Sequence, residues 1–149
     1  MNEPQQQDLS SVMQVRSNPS LYLSPGKTPS LRDVALELAN DALYLGAQRV
    51  VIELLESWFL VAASSDWILQ GSKHAVPEVF FRIQLFHSYR RNATRATILP
   101  IAFAQNVITF LAGEPTVLVG CKNGFQEVQA FVEVRHPLDR VVAFQGPLL

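Results

Sequence analysis

The sequence has very little cysteine and no excess of either charge, and both shortages exclude classes of protein. Its 149 residues include one cysteine, Cys121, so an internal disulfide is impossible, and its neighbours form neither a CxxC pair nor a Cys/His ligand set. The formal net charge of −1 provides no overall field to hold a polyanion. We therefore expect a reducing, intracellular environment and no broad electrostatic binding of nucleic acid.

Long apolar runs and leader features are also lacking. No stretch approaches the roughly 18 apolar residues of a membrane span. The first residues, MNEPQQQDLSSVM, have neither the basic region nor the apolar core of a secretory signal. These absences predict a cytoplasmic protein without a membrane partner.

What is present suffices for one domain, since 48% of the residues are hydrophobic and 17% are charged. The start of the chain is polar, with three consecutive glutamines, a composition typical of a mobile arm. The sequence thus predicts a flexible N-terminal arm over residues 1–14 and a single α/β domain over residues 15–149. The proline-rich residues 15–29 predict an extended segment that leads into this domain.

The clearest helix pattern lies over residues 31–45, where apolar residues recur at spacings of three and four. Ser30 is the predicted N-cap and Gly46 the predicted C-terminal cap. The runs RVVIELL and SWFLVAA then predict two largely buried strands. EVFFRIQLFHSY predicts a second helix. A third is expected over residues 96–106, with Pro100 in its first turn or at a kink.

The C-terminal third predicts β-structure. Val117–Cys121 and Phe125–Arg135 flank Lys122-Asn123-Gly124, and Asn-Gly between strand-like runs favours a hairpin. Four apolar residues of the second run alternate with polar ones, which is typical of a strand with one buried face: Val128, Ala130, Val132 and Val134. The run RVVAF after Pro137 predicts a last strand.

Two carboxylates of the first predicted helix could carry chemistry. Glu37 and Asp41 are one turn apart and share a helix face. Carboxylates at this spacing can position a water molecule and a divalent cation. The same spacing also fits a plain solvated helix face. The three histidines, His74, His87 and His136, are widely spaced and predict no metal site.

The order of these segments resembles a known family. VRSNPSLYLS followed by SLRDVALELANDAL is similar to the start of the ATPase domain of DNA gyrase B and topoisomerase IV subunits, members of the GHKL (Bergerat-fold) superfamily. That family pattern runs V-R-x-R-P-x-M-Y-I-G, then E-x-x-x-N on a helix. GCKNGFQEVQAFVEVRHPLDRVVAFQG is similar to the family's hairpin G-x-x-x-x-Q-x-F-x-x-G-x-P and the strand after it. The likeness spans most of residues 15–146.

This resemblance implies a Bergerat-like fold, an α/β (α+β) two-layer sandwich with a mixed, mostly antiparallel sheet and helices packed on one face. It places Glu37 where the family has the glutamate that activates the attacking water. It places Asp41 where the family has its Mg²⁺-binding asparagine. An aspartate there can still ligate Mg²⁺ through oxygen, with a different charge facing the phosphates.

The nucleotide-binding motifs of that family are missing. Its D-x-G-x-G is replaced by VAASSDWI, with Ala63 at the adenine position and Trp67 where a glycine belongs; Asp66 is a candidate shifted substitute for the adenine-binding aspartate. The glycine-rich phosphate lid is replaced by SYRRNATRATILPIAFA, and no glycine occurs between Gly71 and Gly113. Without glycines the backbone amides cannot easily form a nest for phosphate.

A local basic cluster occupies the place of the lid and contains no acidic residue. It could bind a phosphate, a nucleic-acid backbone or an acidic patch on a partner, or it could be a solvated basic loop. Its members are Arg82, His87, Arg90, Arg91 and Arg95.

Three functions follow as hypotheses. The first is a non-catalytic pseudo-ATPase module without a cofactor, which binds a protein partner or pairs with itself through the N-terminal arm. The second is a divergent ATPase that uses Glu37 as general base and Asp41 as the ligand of Mg-ATP. The third is a nucleic-acid accessory domain that uses the arginine cluster, although the near-neutral charge makes nucleic acid a disfavoured partner.

Overall fold

An antiparallel five-stranded sheet organises the chain, whose computed structural model describes residues 9–23, 30–70, 75–84, 94–120 and 124–146. The strands are β1 (Val50–Leu55), β2 (Trp58–Ala63), β3 (Asn106–Leu111), β4 (Glu114–Val119) and β5 (Arg140–Gln145). Their order in the sheet is β1-β2-β5-β3-β4, and every neighbouring pair is antiparallel.

Helices complete the predicted α+β architecture, which is confirmed. They are α1 (Ser10–Ser17), α2 (Pro19–Tyr22), α3 (Leu31–Tyr44), α4 (Glu78–Phe81), the 3₁₀ turn η1 (Ala96–Ile98), α5 (Leu99–Phe103) and α6 (Phe125–Arg135). Within the described ranges, no helix combines the length and the apolar character needed to cross a bilayer.

Helix α3 forms where the sequence predicts it, with both predicted caps. The Ser30 hydroxyl accepts the Asp33 N–H, and the Asp33 carboxylate accepts the Ser30 N–H at 3.1 Å, so two N-terminal amides are satisfied. At the other end Gly46 has a φ of +93°. The Ala47 N–H donates to the Ala42 carbonyl and the Gly46 N–H to that of Leu43, the bonding pattern of a Schellman cap.

The core lies on both faces of the sheet, because alternate strand residues point to opposite sides. Helices α1, α3, α4 and α5 cover the face that carries Val61, Val142 and Phe144. Helix α6 covers part of the other face, where Val128 and Val132 pack against strand residues. The main helical layer therefore lies on one face, as predicted, and α6 is added on the opposite one.

The predicted strands β1, β2 and β5 are all present. β2 and β5 lie inside the sheet and are almost entirely buried. The expected burial of β1 is wrong, because β1 is an edge strand and its residues alternate between partly buried and exposed.

The predicted C-terminal hairpin is also wrong. Phe125–Arg135 forms α6, which begins after Gly124 in a left-handed conformation with φ of +80°. A Cβ atom at Gly124 would lie 2.8 Å from the Trp58 Nε1 atom, so glycine is needed both for the backbone angle and for the close contact. Only Val128 and Val132, one helical turn apart, are buried, while Val134 is 78% exposed. The spacing of the valines is thus compatible with both a strand, with its period of two residues, and a helix, with its period of about 3.6. The buried positions follow the helical period.

The predicted flexible arm is too long. Residues 1–8 lie outside the described part of the chain, but Ser10–Ser17 forms α1, with Val12 and Val15 buried in the core. The Arg16 Nε–H donates to the Ala102 carbonyl at 2.8 Å, at the C-terminal end of α5. Of the extended segment expected over residues 15–29, the start belongs to α1, Pro19–Tyr22 forms the short helix α2, and residues 24–29 lie outside the described residues.

Three further elements differ from expectation. The second helix is a single turn, α4; residues 82–84 are not helical, and residues 85–89 of that prediction lie outside the described residues. The third divides into η1 and α5, with Pro100 in the first turn of α5, and ends at Phe103. Strand β3 was missed. Its hairpin with β4 turns at Ala112 and Gly113, both with positive φ, as a two-residue turn requires.

Candidate functional site

Asp41 lies inside the fold rather than in an open site. It is only 5% exposed, and its Oδ2 accepts the N–H of Ala96 at 2.5 Å, which ties α3 to η1. Burial raises the pKa of Asp41 to about 7, although the Ala96 N–H and the nearby Arg95 guanidinium act in the opposite direction. A carboxyl group that holds a proton near neutral pH and is shielded from water is a poor ligand for Mg²⁺.

Arg95, predicted to belong to a surface patch, is also buried, with 4% exposure. Its guanidinium donates to the carbonyl of Gln70 at 3.0 Å and to that of Trp67. Burial lowers the pKa of Arg95, and the negative charges of Asp41 and Asp66 counteract that effect. Arg95 therefore connects η1 to the loop after β2.

Asp66, the candidate adenine-binding residue, is held by an arginine. Arg140 donates from Nε to Oδ1 at 2.8 Å and from a terminal nitrogen to Oδ2 at 3.0 Å, a bidentate pair. The remaining guanidinium nitrogen of Arg140 donates to the Thr109 hydroxyl at 3.1 Å. Asp66 also accepts the Leu69 N–H at 3.4 Å, so its oxygens are engaged within the chain.

Together these four residues form what we term the inner charge network: Asp41, Arg95, Asp66 and Arg140. Acidic and basic side chains alternate in the network, and each arginine is close to at least one carboxyl group. The network lies on the α3 side of the sheet, between α3, η1, the loop after β2 and strand β5. It joins elements that are distant in sequence. The network therefore has a structural role.

Glu37 alone of the predicted carboxylates faces an open space. It is half-buried and lines a cleft of about 270 Å³, and burial, followed by the neighbouring charge of Asp33, raises its pKa. Within the part of the chain that the structure describes, no hydrogen bond or ion pair is formed by its carboxylate. The other residues that line the cleft are Leu21, Tyr22, Thr94, Arg95, Ala96 and Leu99.

The two residues that the resemblance places at the adenine-binding motif lie in the apolar core. Ala63 and Trp67 are both fully buried on the α3 side, and neither lines the cleft beside Glu37. A second hollow, near the end of β5, carries amide and hydroxyl groups but no acid or base. Its lining is Leu31, Ser57, Phe59, Gln105, Asn106, Gln145 and Gly146.

The predicted basic cluster is not assembled in the described part of the chain. Arg82 forms an exposed ion pair with Glu78 at 2.8 Å, one turn away on α4, and Arg95 belongs to the inner charge network. His87, Arg90 and Arg91 lie outside the described residues.

A second charged cluster, missed in the sequence, lies on the α6 side; we term it the outer charge cluster. His136 is buried, with Nε2 at 2.8 Å from a Glu53 oxygen and Nδ1 at 3.3 Å from an Asp139 oxygen. Two arginines bring further positive charge: Arg135 is 3.5 Å from Glu53, and Arg49 is 3.0 Å from Asp139. The cluster fastens the turn between α6 and β5 to strand β1.

Neither cluster has the arrangement of a metal centre. Over the described residues, no group of three or more His, Cys, Asp or Glu side chains is placed to hold a metal ion. Asp41 and Asp66 do not fit the roles that Mg-ATP would require, because each is engaged by an internal partner. No protein-family model, curated protein or solved structure matches the chain.

Proposed function

We propose that this chain is a non-catalytic α+β module that acts by binding another protein surface. The observation that supports the proposal is the inner charge network. The two aspartates that a divergent ATP site would need, Asp41 for Mg²⁺ and Asp66 for adenine, are both engaged inside the fold: Asp41 accepts the Ala96 N–H and lies near Arg95, and Asp66 pairs with Arg140.

Nucleotide binding in the manner of the GHKL family would therefore require the protein to break its own interactions. Releasing Asp66 would leave Arg140, which is 4% exposed, without its carboxylate, and such an uncompensated buried charge is strongly destabilising. Glu37 would remain as a general base with neither the metal ligand nor the adenine contact in place. The pseudo-ATPase relationship with the GHKL superfamily remains part of this proposal.

The N-terminal arm is a weaker candidate for the binding surface than the sequence suggests. Residues 10–17 pack on the chain's own core through Val12 and Val15, and Arg16 bonds to the end of α5. Exchange of this segment with a second copy would first require those contacts to open.

Thermal unfolding with nucleotide tests the proposal. We expect no change in melting temperature with millimolar ATP or a non-hydrolysable analogue in the presence of Mg²⁺. A ligand at 100 times its dissociation constant would add about 2.7 kcal/mol of stability, a readily measured shift. The matched control omits Mg²⁺ and adds a chelator. A shift that requires both nucleotide and Mg²⁺, together with ATP hydrolysis that Glu37→Gln abolishes, would overturn the proposal in favour of the ATPase.

A further inference from the structure

The two edges of the sheet are protected to different degrees. The β4 edge carries Pro115, and its pairing with β3 is irregular beside Val107 and Ile108. A proline and a bulge are devices that prevent an edge from pairing with another strand. β1 has six residues, VVIELL, in regular register with β2 and contains neither proline nor lysine; its one charged residue, Glu53, is held on the α6 side by His136 and Arg135. Among the described residues, no strand pairs with its outer edge.

Apolar side chains flank this unprotected edge. Ile52 and Leu54 of β1 are 40% and 64% exposed and lie on the α3 side of the sheet, because Ile52 is opposite Val61 of the α3-side core. Leu36 and Leu43 of α3 are also exposed. Leu36 is five residues before Asp41 and Leu43 two residues after it. At about 100° per residue, both lie on the flank of α3 turned away from Asp41 and η1. The edge of β1 therefore offers backbone hydrogen-bonding groups to a partner, and the flank of α3 offers apolar surface beside it.

We propose that the outer edge of β1 pairs, antiparallel, with β1 of a second copy of this chain, to give a continuous ten-stranded sheet. The charges at the two ends of the strand favour this occupant. Arg49 precedes β1 and Glu56 follows it, and both are exposed. Antiparallel pairing places Arg49, which also pairs with Asp139, at the end of the partner's strand that carries Glu56, whereas parallel pairing would place the two Arg49 side chains at the same end. The net charge of −1 produces little repulsion between two copies.

Two-fold symmetry restricts the register. In an antiparallel pair about a two-fold axis, one residue must lie opposite its own copy. A centre at Glu53 would set two carboxylates directly against each other, which is unfavourable. A centre at Ile52 puts Ile52 opposite the partner's Ile52 and Leu54 opposite the partner's Val50, so that one face of the junction is apolar throughout. We assign the centre to Ile52.

This interface rests on the proposed function, because it names the surface and the partner of a binding module. It is tested by the molar mass of the full chain in solution, from light scattering over a concentration series. We expect a dimer above about 100 µM. Leu54→Lys places a charge in the apolar face and should weaken the dimer at least tenfold, that is, by about 1.4 kcal/mol. Val117→Lys, at an exposed apolar position on the β4 edge, is the matched control and should dimerise as the parent does.

Cysteine cross-linking tests the register. In a Cys121→Ser background, Ile52→Cys would lie opposite its own copy, with Cα atoms about 5.5 Å apart, a separation that a disulfide can span, and should form a covalent dimer under mild oxidation. Val117→Cys should not. At a protein concentration where the parent is monomeric, the melting temperatures of all variants should match the parent's, which shows that the variants are folded.

A monomeric parent chain at all concentrations, or a dimer insensitive to Leu54→Lys, would overturn the interface. Neither result would restore nucleotide binding, so the proposed function would stand with a different surface. A Mg-ATP-dependent shift would overturn the proposed function whatever the molar mass.

Discussion

The inner charge network and the outer charge cluster lie on opposite faces of the same sheet and meet their electrostatic requirements differently. In the outer charge cluster, each ring nitrogen of His136 contacts a carboxylate oxygen, and each carboxylate also lies beside an arginine whose side chain is more than half exposed. In the inner charge network, Asp41 lies away from water and burial dominates its protonation. The arginines of the outer charge cluster thus reach solvent, whereas the arginines of the inner charge network, Arg95 and Arg140, are buried.

The burial of the inner charge network raises the question of whether it serves catalysis or structure. A confined carboxyl group with a raised pKa is often a sign of a catalytic site. Here the acceptor role of Asp41 toward the Ala96 N–H and the proximity of Arg95 use the group within the fold. The comparison predicts that disturbing the inner charge network changes stability more than disturbing the outer charge cluster.

The largest expected effect is the pH dependence of Asp41. Its pKa rises from 3.8 in the unfolded chain to about 7 in the folded one, so between these values the folded state binds a proton that the unfolded state has released. The stabilisation that protonated Asp41 gives the folded state is complete at acid pH. It falls by roughly 4 kcal/mol as the pH rises to about 7. Asp41→Asn should remove this loss, because the amide oxygen can still accept the Ala96 N–H and carries no charge.

The measurement is the free energy of unfolding in urea across that pH range, for the parent and for Asp41→Asn. The variant should gain stability relative to the parent as the pH rises. Glu127→Gln, at an exposed carboxylate on α6, should keep the parental slope. An Asp41→Asn profile parallel to the parent's would mean that Asp41 is charged throughout, and the contrast between the two clusters would be lost.

A somewhat smaller change in unfolding free energy is expected when the bidentate pair between Asp66 and Arg140 is broken. Asp66→Ala leaves the buried Arg140 with the Thr109 hydroxyl and no carboxylate, which should cost about 3 kcal/mol in urea unfolding. The control is the exposed Arg82–Glu78 pair, where Glu78→Ala should cost less than about 1 kcal/mol. Equal costs for the two substitutions would show that burial does not distinguish them.

Local signals in the sequence located much of the fold. The cap at Ser30 and the glycine at residue 46 bound α3 because each satisfies backbone groups within a few residues. Strand β2 is apolar along its whole length and β5 is apolar between Arg140 and Gln145, and both could be predicted for that reason. Helix α6 could not, because its valines fit both a strand and a helix, and only packing on the α6-side core decides between them.

Sequence spacing predicted the relative placement of two acidic residues on α3 but not their partners. The position of Glu37 and Asp41 on one helix follows from their spacing, and Glu37 does line a cleft. The partners that determine what these groups do are distant in sequence: Asp66 and Arg140 are 74 residues apart, and Glu53 and His136 are 83 apart. Charged residues have many equivalent partners before the sheet order is known, so sequence patterns cannot select these pairs.

The smallest of the three effects is expected in the outer charge cluster. His136→Ala removes the group between Glu53 and Asp139 but leaves Arg135 and Arg49 beside them, so we expect a loss of about 2 kcal/mol in urea unfolding. His136→Gln should recover part of this, since its amide can donate to one carboxylate. A double-mutant cycle with Glu53→Gln should give a coupling of about 1 kcal/mol. A cost for His136→Ala above that for Asp66→Ala would reverse the ranking of the two clusters and identify the outer one as the main polar support of the sheet.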